Sequence, residues 1–337
     1  MPRLPHIGAA AALRLLSGTV LALLLAAPSA AAQEAYQDTL RAYVDSATRL
    51  MELHSVKRAE VDWPNLRAAA RAIVDTSSTA DTAVAYAAVR AALRTLGDHH
   101  SFLMSPAEVR RMSASDSGSA PSNPPPDVRL LEGGVGYVRI PAYLGLDSIL
   151  IGLYAVDFQD RLRPLMQSAS CGWVVDLRGN IGGNMWPMLA GIGPVLGEGT
   201  AGSFVSSDTA EDWGYTGGTA WEGPTIHVRV AHPLRPASSL PAVAVLTDSM
   251  TASSGEAVAI SFRGRSQTRS FGGLTYGLTT GNENYSLPDG SMLFLTTVVE
   301  ADRTGQKYGG PLTPDSLVAA ADALPVALGW LHSACAS

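Results

Sequence analysis

The chain has 337 residues, enough for one large domain or two unequal ones, and at 46% hydrophobic and 16% charged residues it can bury a sizeable core. A net charge of -6, with Lys57 and Lys307 as the only lysines, gives no electrostatic basis for holding nucleic acid, which needs clustered Lys and Arg.

In chain order, Arg3 and Arg14 precede an apolar run from Leu15 to Ala27, followed by Ala30-Ala31-Ala32. This pattern predicts a signal peptide over residues 1–32, cut after Ala32. The alternative is a membrane anchor, but the run is shorter than the ~20 residues that span a bilayer. The mature protein is expected to be periplasmic or secreted, with no stable membrane insertion. Helical spacing runs from Tyr36 to about Met112, with Asp62-Trp63-Pro64 as a helix start. Residues 113–127 read as a Ser/Pro-rich linker or loop between the helical region 33–112 and a second region 128–337.

Beyond the linker, strands are expected at Gly136–Ile140, Trp173–Leu177, Ala242–Leu246 and Leu293–Val299. Helices are expected at Leu153–Ser168, Trp186–Val195, Ala252–Phe262 and Asp315–Leu331, the last capped at Asp315. Alternating strands and helices imply an α/β fold. Cys171 and Cys335 either pair in an oxidising compartment or remain two separate buried thiols.

Three segments carry candidate chemistry. In Asp248-Ser249-Met250-Thr251-Ala252-Ser253-Ser254-Gly255-Glu256, Ser253 falls between a buried strand and a helix. Free backbone N–H groups there stabilise an oxyanion, with Ser254 N–H a natural donor. Ser253 and Glu256 equally suit a capping box. In Asp176-Leu177-Arg178-Gly179-Asn180-Ile181-Gly182-Gly183, a strand enters a Gly-rich turn. Its spacing misses the nucleotide-binding patterns, so it is either a tight turn or a second oxyanion donor, Gly182 or Gly183. In Asp98-His99-His100-Ser101, either histidine suits a general base, or both sit at a helix end on the surface. The other histidines are scattered, so no metal or other cofactor is expected.

Taken together and in this order, these motifs resemble the tail-specific, or carboxy-terminal processing, peptidases and their relatives, the tricorn protease core and interphotoreceptor retinoid-binding protein. Trp63, Gly136-Tyr137-Val138, Phe271-Gly272 through Thr275-Tyr276-Gly277, and Pro314-Asp315 extend the match over roughly residues 62–315. The resemblance implies a crotonase/Clp-protease-like core of ββα units with an N-terminal helical region. It implies hydrolysis of peptides or proteins through a Ser253 acyl-enzyme, with Glu256 three residues on and oxyanion donors at Ser254 and at Gly182 or Gly183.

Where the processing branch has a lysine base, this chain has Leu278. His100 matches the base of the tricorn-like branch. His99 stands in place of that branch's neighbouring serine, and Gln306 or Lys307 falls near its distant glutamate. Asp98, Glu256 and Asp302 are therefore the candidates to orient His100. The segment between Ser113 and Pro126 is too short for a PDZ module of roughly 80–100 residues. Two other readings remain: a Ser–Lys hydrolase using Lys307, and a non-catalytic protein binding apolar ligands near Met185, Trp186, Met188 and Leu189, residues whose helical spacing equally suits a core.

Overall fold

The computed structural model describes residues 30–79, 81–113, 123–236 and 239–336. Most of the expected signal peptide, and the central part of the Ser/Pro-rich segment, lie outside the described residues.

Helices α1 (Ala30–His54), α2 (Trp63–Asp75) and α3 (Thr82–Leu96) bury Val44, Ala47, Met51, Ala70, Val74, Ala88 and Val89 against one another. Their caps follow from sequence. Asp62 accepts from the Asn65 N–H at 3.2 Å, and Asp81 from the Ala83 N–H at 3.0 Å. Gly97, at φ 70°, ends α3 in the left-handed conformation. Strand β1 (Phe102–Met104) and helix α4 (Pro106–Ser113) follow, so the segment up to Met112 is not helical throughout.

The rest of the chain builds two sheets. One contains β2 (Asp127–Leu131), β3 (Val135–Arg139), β4 (Trp173–Asp176), β9 (Val243–Thr247), β10 (Thr268–Gly272) and β13 (Ser316–Leu317), in the order β13-β10-β9-β4-β3-β2. Its pairings are parallel except β2 with β3. The other contains β5 (Gly199–Val205), β6 (Ala210–Thr216), β7 (Thr219–Glu222) and β8 (Thr225–Arg229), joined through β12 (Met292–Asp302) to β1. In this antiparallel sheet β11 (Thr280–Ser286) also pairs with β12.

Helix α5 (Ser148–Leu162), α6 (Met185–Leu196) and α7 (Ser254–Ser261) form the layer between the sheets, joined in one core with Val175, Val245, Trp213 and Tyr215. Met188, Leu189, Val258 and Ile260 are wholly buried there, which explains the apolar composition of α6 and α7 on every side. Helix α8 (Ala323–Cys335) covers the opposite face of the parallel sheet through Ala323, Ala327 and Leu331. The N-terminal helices close over the other sheet at Leu287, Leu293 and Leu295. No helix among the described residues is long and apolar enough to cross a membrane.

The structure corrects several boundaries. The expected helix from Asp315 is instead strand β13 followed by α8, because Asp315 spends its carboxylate on Ser270, accepting from its N–H and hydroxyl at 2.7 Å each. Helix α5 starts earlier than expected because Asp147 caps it, accepting from the Ile149 and Leu150 N–H groups. Cys171 and Cys335 form a disulfide, with Cα atoms 5.0 Å apart, that ties the end of α8 to the start of β4.

Candidate active site

Strand β9 is fully buried, and the turn after it is tied down by Asp248, whose Oδ1 accepts from the N–H groups of Gly179, Met250 and Thr251. The chain then reaches Ser253 in a strained backbone conformation (φ 51°, ψ -124°) immediately before α7. A serine with positive φ costs conformational energy, and such strain concentrates at functional sites. Only the Glu256 half of a capping box is made: Glu256 Oε2 accepts from the Ser253 N–H at 2.8 Å. The Ser253 hydroxyl makes no cap hydrogen bond to the helix; the Glu256 N–H donates to the Ser253 carbonyl oxygen at 2.7 Å. The hydroxyl is engaged elsewhere: Oγ lies 2.9 Å from His100 Nε2.

His100 reaches Ser253 because α3 ends at Gly97 and the next residues turn onto β12. Asp98 Oδ1 accepts from the His100 and Ser101 N–H groups at 2.9 and 2.7 Å, and Asn282 Nδ2 donates to the His100 carbonyl at 3.0 Å. The imidazole is 9% exposed, and burial pushes its pKa down to about 4, against the opposing charge of Asp98. The ring is therefore neutral at pH 7. Nδ1 lies 2.7 Å from Thr280 Oγ1. With the Nδ1 proton donated to Thr280, Nε2 is left as the acceptor for the Ser253 hydroxyl.

None of the three carboxylates considered for orienting His100 does so. Asp98 binds backbone and the Ser101 hydroxyl, while Asp302 accepts from Thr304 and from the Tyr308 hydroxyl. Glu256 is fully buried and accepts from the Thr275 hydroxyl and from the N–H groups of Gly277, Leu278 and Ser253. Burial raises its pKa, and these four donors oppose the rise. Glu256 thus holds the 275–278 loop against the Ser253 turn and makes no hydrogen bond to the imidazole. That loop delivers Thr280, at the start of β11, to His100.

The glycine pair in the 178–183 turn permits a close approach. A Cβ on Gly182 would lie 2.8 Å from the Ser253 Cβ, and one on Gly183 would lie 2.0 Å from the Tyr143 carbonyl oxygen. Gly182 and Gly183 have φ of 102° and 104°. The two differ as donors. The Gly182 N–H is taken by Asn180 Oδ1 at 2.9 Å, whereas the N–H groups of Gly183 and Ser254 have no acceptor among the described residues. Ser254 Oγ donates to the Gly183 carbonyl at 2.6 Å and clamps the two turns together. Asn180, fully buried, ties the same turns: its carbonyl accepts from the Ala252 N–H at 2.9 Å and its Nδ2 donates to the Ile140 carbonyl at 3.1 Å. Asp176 and Arg178 of the same motif form an ion pair at 2.6 Å that also receives the Tyr137 hydroxyl, away from the serine.

Ser253, Ser254, His100, Thr280 and Gly183 open into a cleft of about 790 Å³. Met185 and Trp186 line it, whereas Met188 and Leu189 belong to the core. Lys307 is exposed and outside the cleft lining, so it is not placed to serve Ser253. His99 is exposed at the cleft edge. No group of three or more His, Cys, Asp or Glu among the described residues is arranged to hold a metal. Thr280 was not anticipated; its only local signal is its place just past the Thr275-Tyr276-Gly277 motif.

A nucleophile-type serine on a strained turn, a neutral imidazole on its oxygen and two free N–H groups form the constellation used for acyl transfer. Comparison with known proteins agrees. The chain is 28% identical over 295 residues, 86% of each chain, to a nisin-resistance protein of Lactococcus lactis subsp. lactis. It superposes on a lipoprotein from Streptococcus agalactiae with TM-score 0.69 and 28% identity, covering 93% of this chain and 100% of that one. The photosystem II D1 C-terminal processing protease shares the fold, with TM-score 0.58 at 16% identity and coverage of 89% and 98%. Residues 134–318, which contain Ser253, Glu256, Thr280 and both glycines, match the model of peptidase family S41. The α/β fold with its N-terminal helices, the serine-centred cleft and this match agree: the chain belongs to peptidase family S41, is a serine-type peptidase, and acts on peptides or proteins.

Proposed function

We propose that this protein is an exported peptidase that hydrolyses peptide bonds through a Ser253 acyl-enzyme with His100 as general base. The observation that carries the reading is the 2.9 Å contact between Ser253 Oγ and His100 Nε2, within reach for proton transfer. As Ser253 Oγ attacks the scissile carbonyl, His100 Nε2 takes its proton. The developing oxyanion is held by the N–H groups of Ser254 and Gly183, and the α7 N-terminus adds its positive end. The imidazolium then protonates the leaving amine, and a water activated by His100 releases the acyl group. Thr280 fixes the tautomer, and Glu256 and Asn180 position the two turns.

Export is supported by the leader pattern over residues 1–32 and by the Cys171–Cys335 disulfide, which persists in oxidising compartments. The relatives named as a lipoprotein and a nisin-resistance protein support a place at or outside the cell envelope, and make nisin a direct first substrate to assay.

The test combines a fluorophosphonate label with peptide turnover. The wild-type protein is expected to be labelled at Ser253, and Ser253→Ala to be inactive yet folded, since loss of the hydroxyl removes the covalent route. His100→Ala is expected to lose about 10²–10⁴-fold in kcat/KM, the usual contribution of a positioned base, and Lys307→Met to retain activity. Full activity in folded Ser253→Ala, or a dead Lys307→Met beside an active His100→Ala, refutes the assignment. N-terminal sequencing of the exported protein is expected to begin at Gln33.

A further inference from the structure

The cleft carries a charge pattern that the reaction does not use. Its lining includes Glu222, Glu283 and Glu300 and, among the described residues, no Lys or Arg. Two of these carboxylates have partners. Glu222 Oε2 lies 2.9 Å from His227 Nε2, whose ring stacks flat on Trp186 at 3.8 Å, and Glu283 accepts from the Tyr285 hydroxyl at 2.5 Å. Glu300 is different. It is 2% exposed on β12, and its Oε2 has no hydrogen-bond partner among the described residues. Thr297, 6% exposed on the same strand and lining the same cleft, has an unpartnered hydroxyl as well. A buried carboxyl oxygen and hydroxyl without partners are costly unless something else satisfies them.

We propose that Glu300, with Thr297, forms the floor of a side-chain subsite that selects a basic residue, Lys or Arg, of the peptide substrate. This deepens the peptidase reading and rests on it. An ammonium or guanidinium group has only donors to offer, and both orphaned oxygens accept. The empty site favours a neutral carboxyl, because burial and the nearby Glu256 charge hold Glu300 well above the usual carboxylate range. When the cationic side chain enters, the carboxyl O–H bond breaks, its proton passes to solvent, and the resulting carboxylate pairs with the cation. Glu222 and Glu283 add attraction at longer range.

The experiment measures binding separately from turnover. A set of capped Ala/Gly heptapeptides carries one Lys, walked through each position, beside matched peptides with norleucine. Affinity is read calorimetrically on Ser253→Ala. At one position Lys is expected to bind at least about 10-fold tighter than norleucine, as for a charged hydrogen bond of 1.5 kcal/mol or more. Glu300→Gln in the same background is expected to reduce that preference below about 2-fold, while Glu283→Gln keeps it. Absence of a Lys preference at every position, including absence of binding, overturns the proposal without needing any Glu300 variant to fold. So does a preference that survives Glu300→Gln or disappears in Glu283→Gln. If the Lys preference is intact but the wild-type protein cleaves none of the bound peptides, the peptidase reading fails instead.

Discussion

Thr280→Val tests whether a neutral hydroxyl, in place of a carboxylate, organises this active site. The substitution keeps the β-branched shape and removes the Oγ1 that lies 2.7 Å from His100 Nδ1. In the resting enzyme the Nδ1 proton loses its acceptor inside a ring that is 9% exposed, which favours the other tautomer and turns Nε2 into a donor facing Ser253. In the transition state the loss is larger, because the bond then runs from an imidazolium, and charge-assisted hydrogen bonds are roughly twice as strong as neutral ones. A loss of about 2–3 kcal/mol follows, which is about 30- to 150-fold in kcat. KM should change less than kcat, since the hydrogen bond removed is the one to His100, and Thr280→Ser should restore most of the activity. The assay is steady-state kinetics on one peptide, with folding checked by thermal melting. Turnover of Thr280→Val within 2-fold of wild type would refute the reasoning and leave Nδ1 oriented by something other than Thr280.

Four further outcomes are expected. The acid limb of kcat/KM should fall near pH 4 and not near 6.5, because a general base at His100, as proposed, must be neutral to act and burial lowers its pKa to about 4; a limb near 6.5 would contradict this. The same shift makes the protein less stable as pH falls from about 6.5 towards 4, where the unfolded chain binds a proton that the folded chain excludes, and denaturant titrations of wild type and His100→Gln should differ in that window. Reducing Cys171–Cys335, which closes a loop with a sequence separation of 164, should lower stability by up to roughly 5 kcal/mol on the chain-entropy account, and an unchanged melting temperature in reductant would argue against it. Asn180→Ala should cut kcat far more than it raises KM, by about 10-fold or more, because it frees the Gly182 N–H and loosens the turn that presents Gly183; equal effects on both constants would point to a simple folding defect.

What could be read from the chain was local. Ser253 and Glu256 lie within one turn of helix, so the strand–turn–helix context and the three-residue spacing already placed them together. The choice between cap and nucleophile was not local, because it depends on where the hydroxyl points, and His100 comes from 153 residues away. The fate of Cys171 and Cys335 and the exclusion of Lys307 from the cleft depended likewise on long-range approach. Asp315 stood where a helix cap was expected, yet its carboxylate found Ser270, 45 residues earlier, and the chain beyond it paired with β10. Gly182 and Gly183 were equivalent as letters; the Asn180 side chain, folded back onto Gly182, left only Gly183 free. Thr280 was invisible for the same reason. A threonine in sequence carries no mark of the imidazole it will meet 180 residues away, and only the pairing of β11 with β12, under the loop held by Glu256, brings its hydroxyl to His100. Sequence determined the residue types and their short-range spacing; tertiary structure decided which groups had partners and which remained free to act, because hydrogen-bond satisfaction depends on distances across the whole fold.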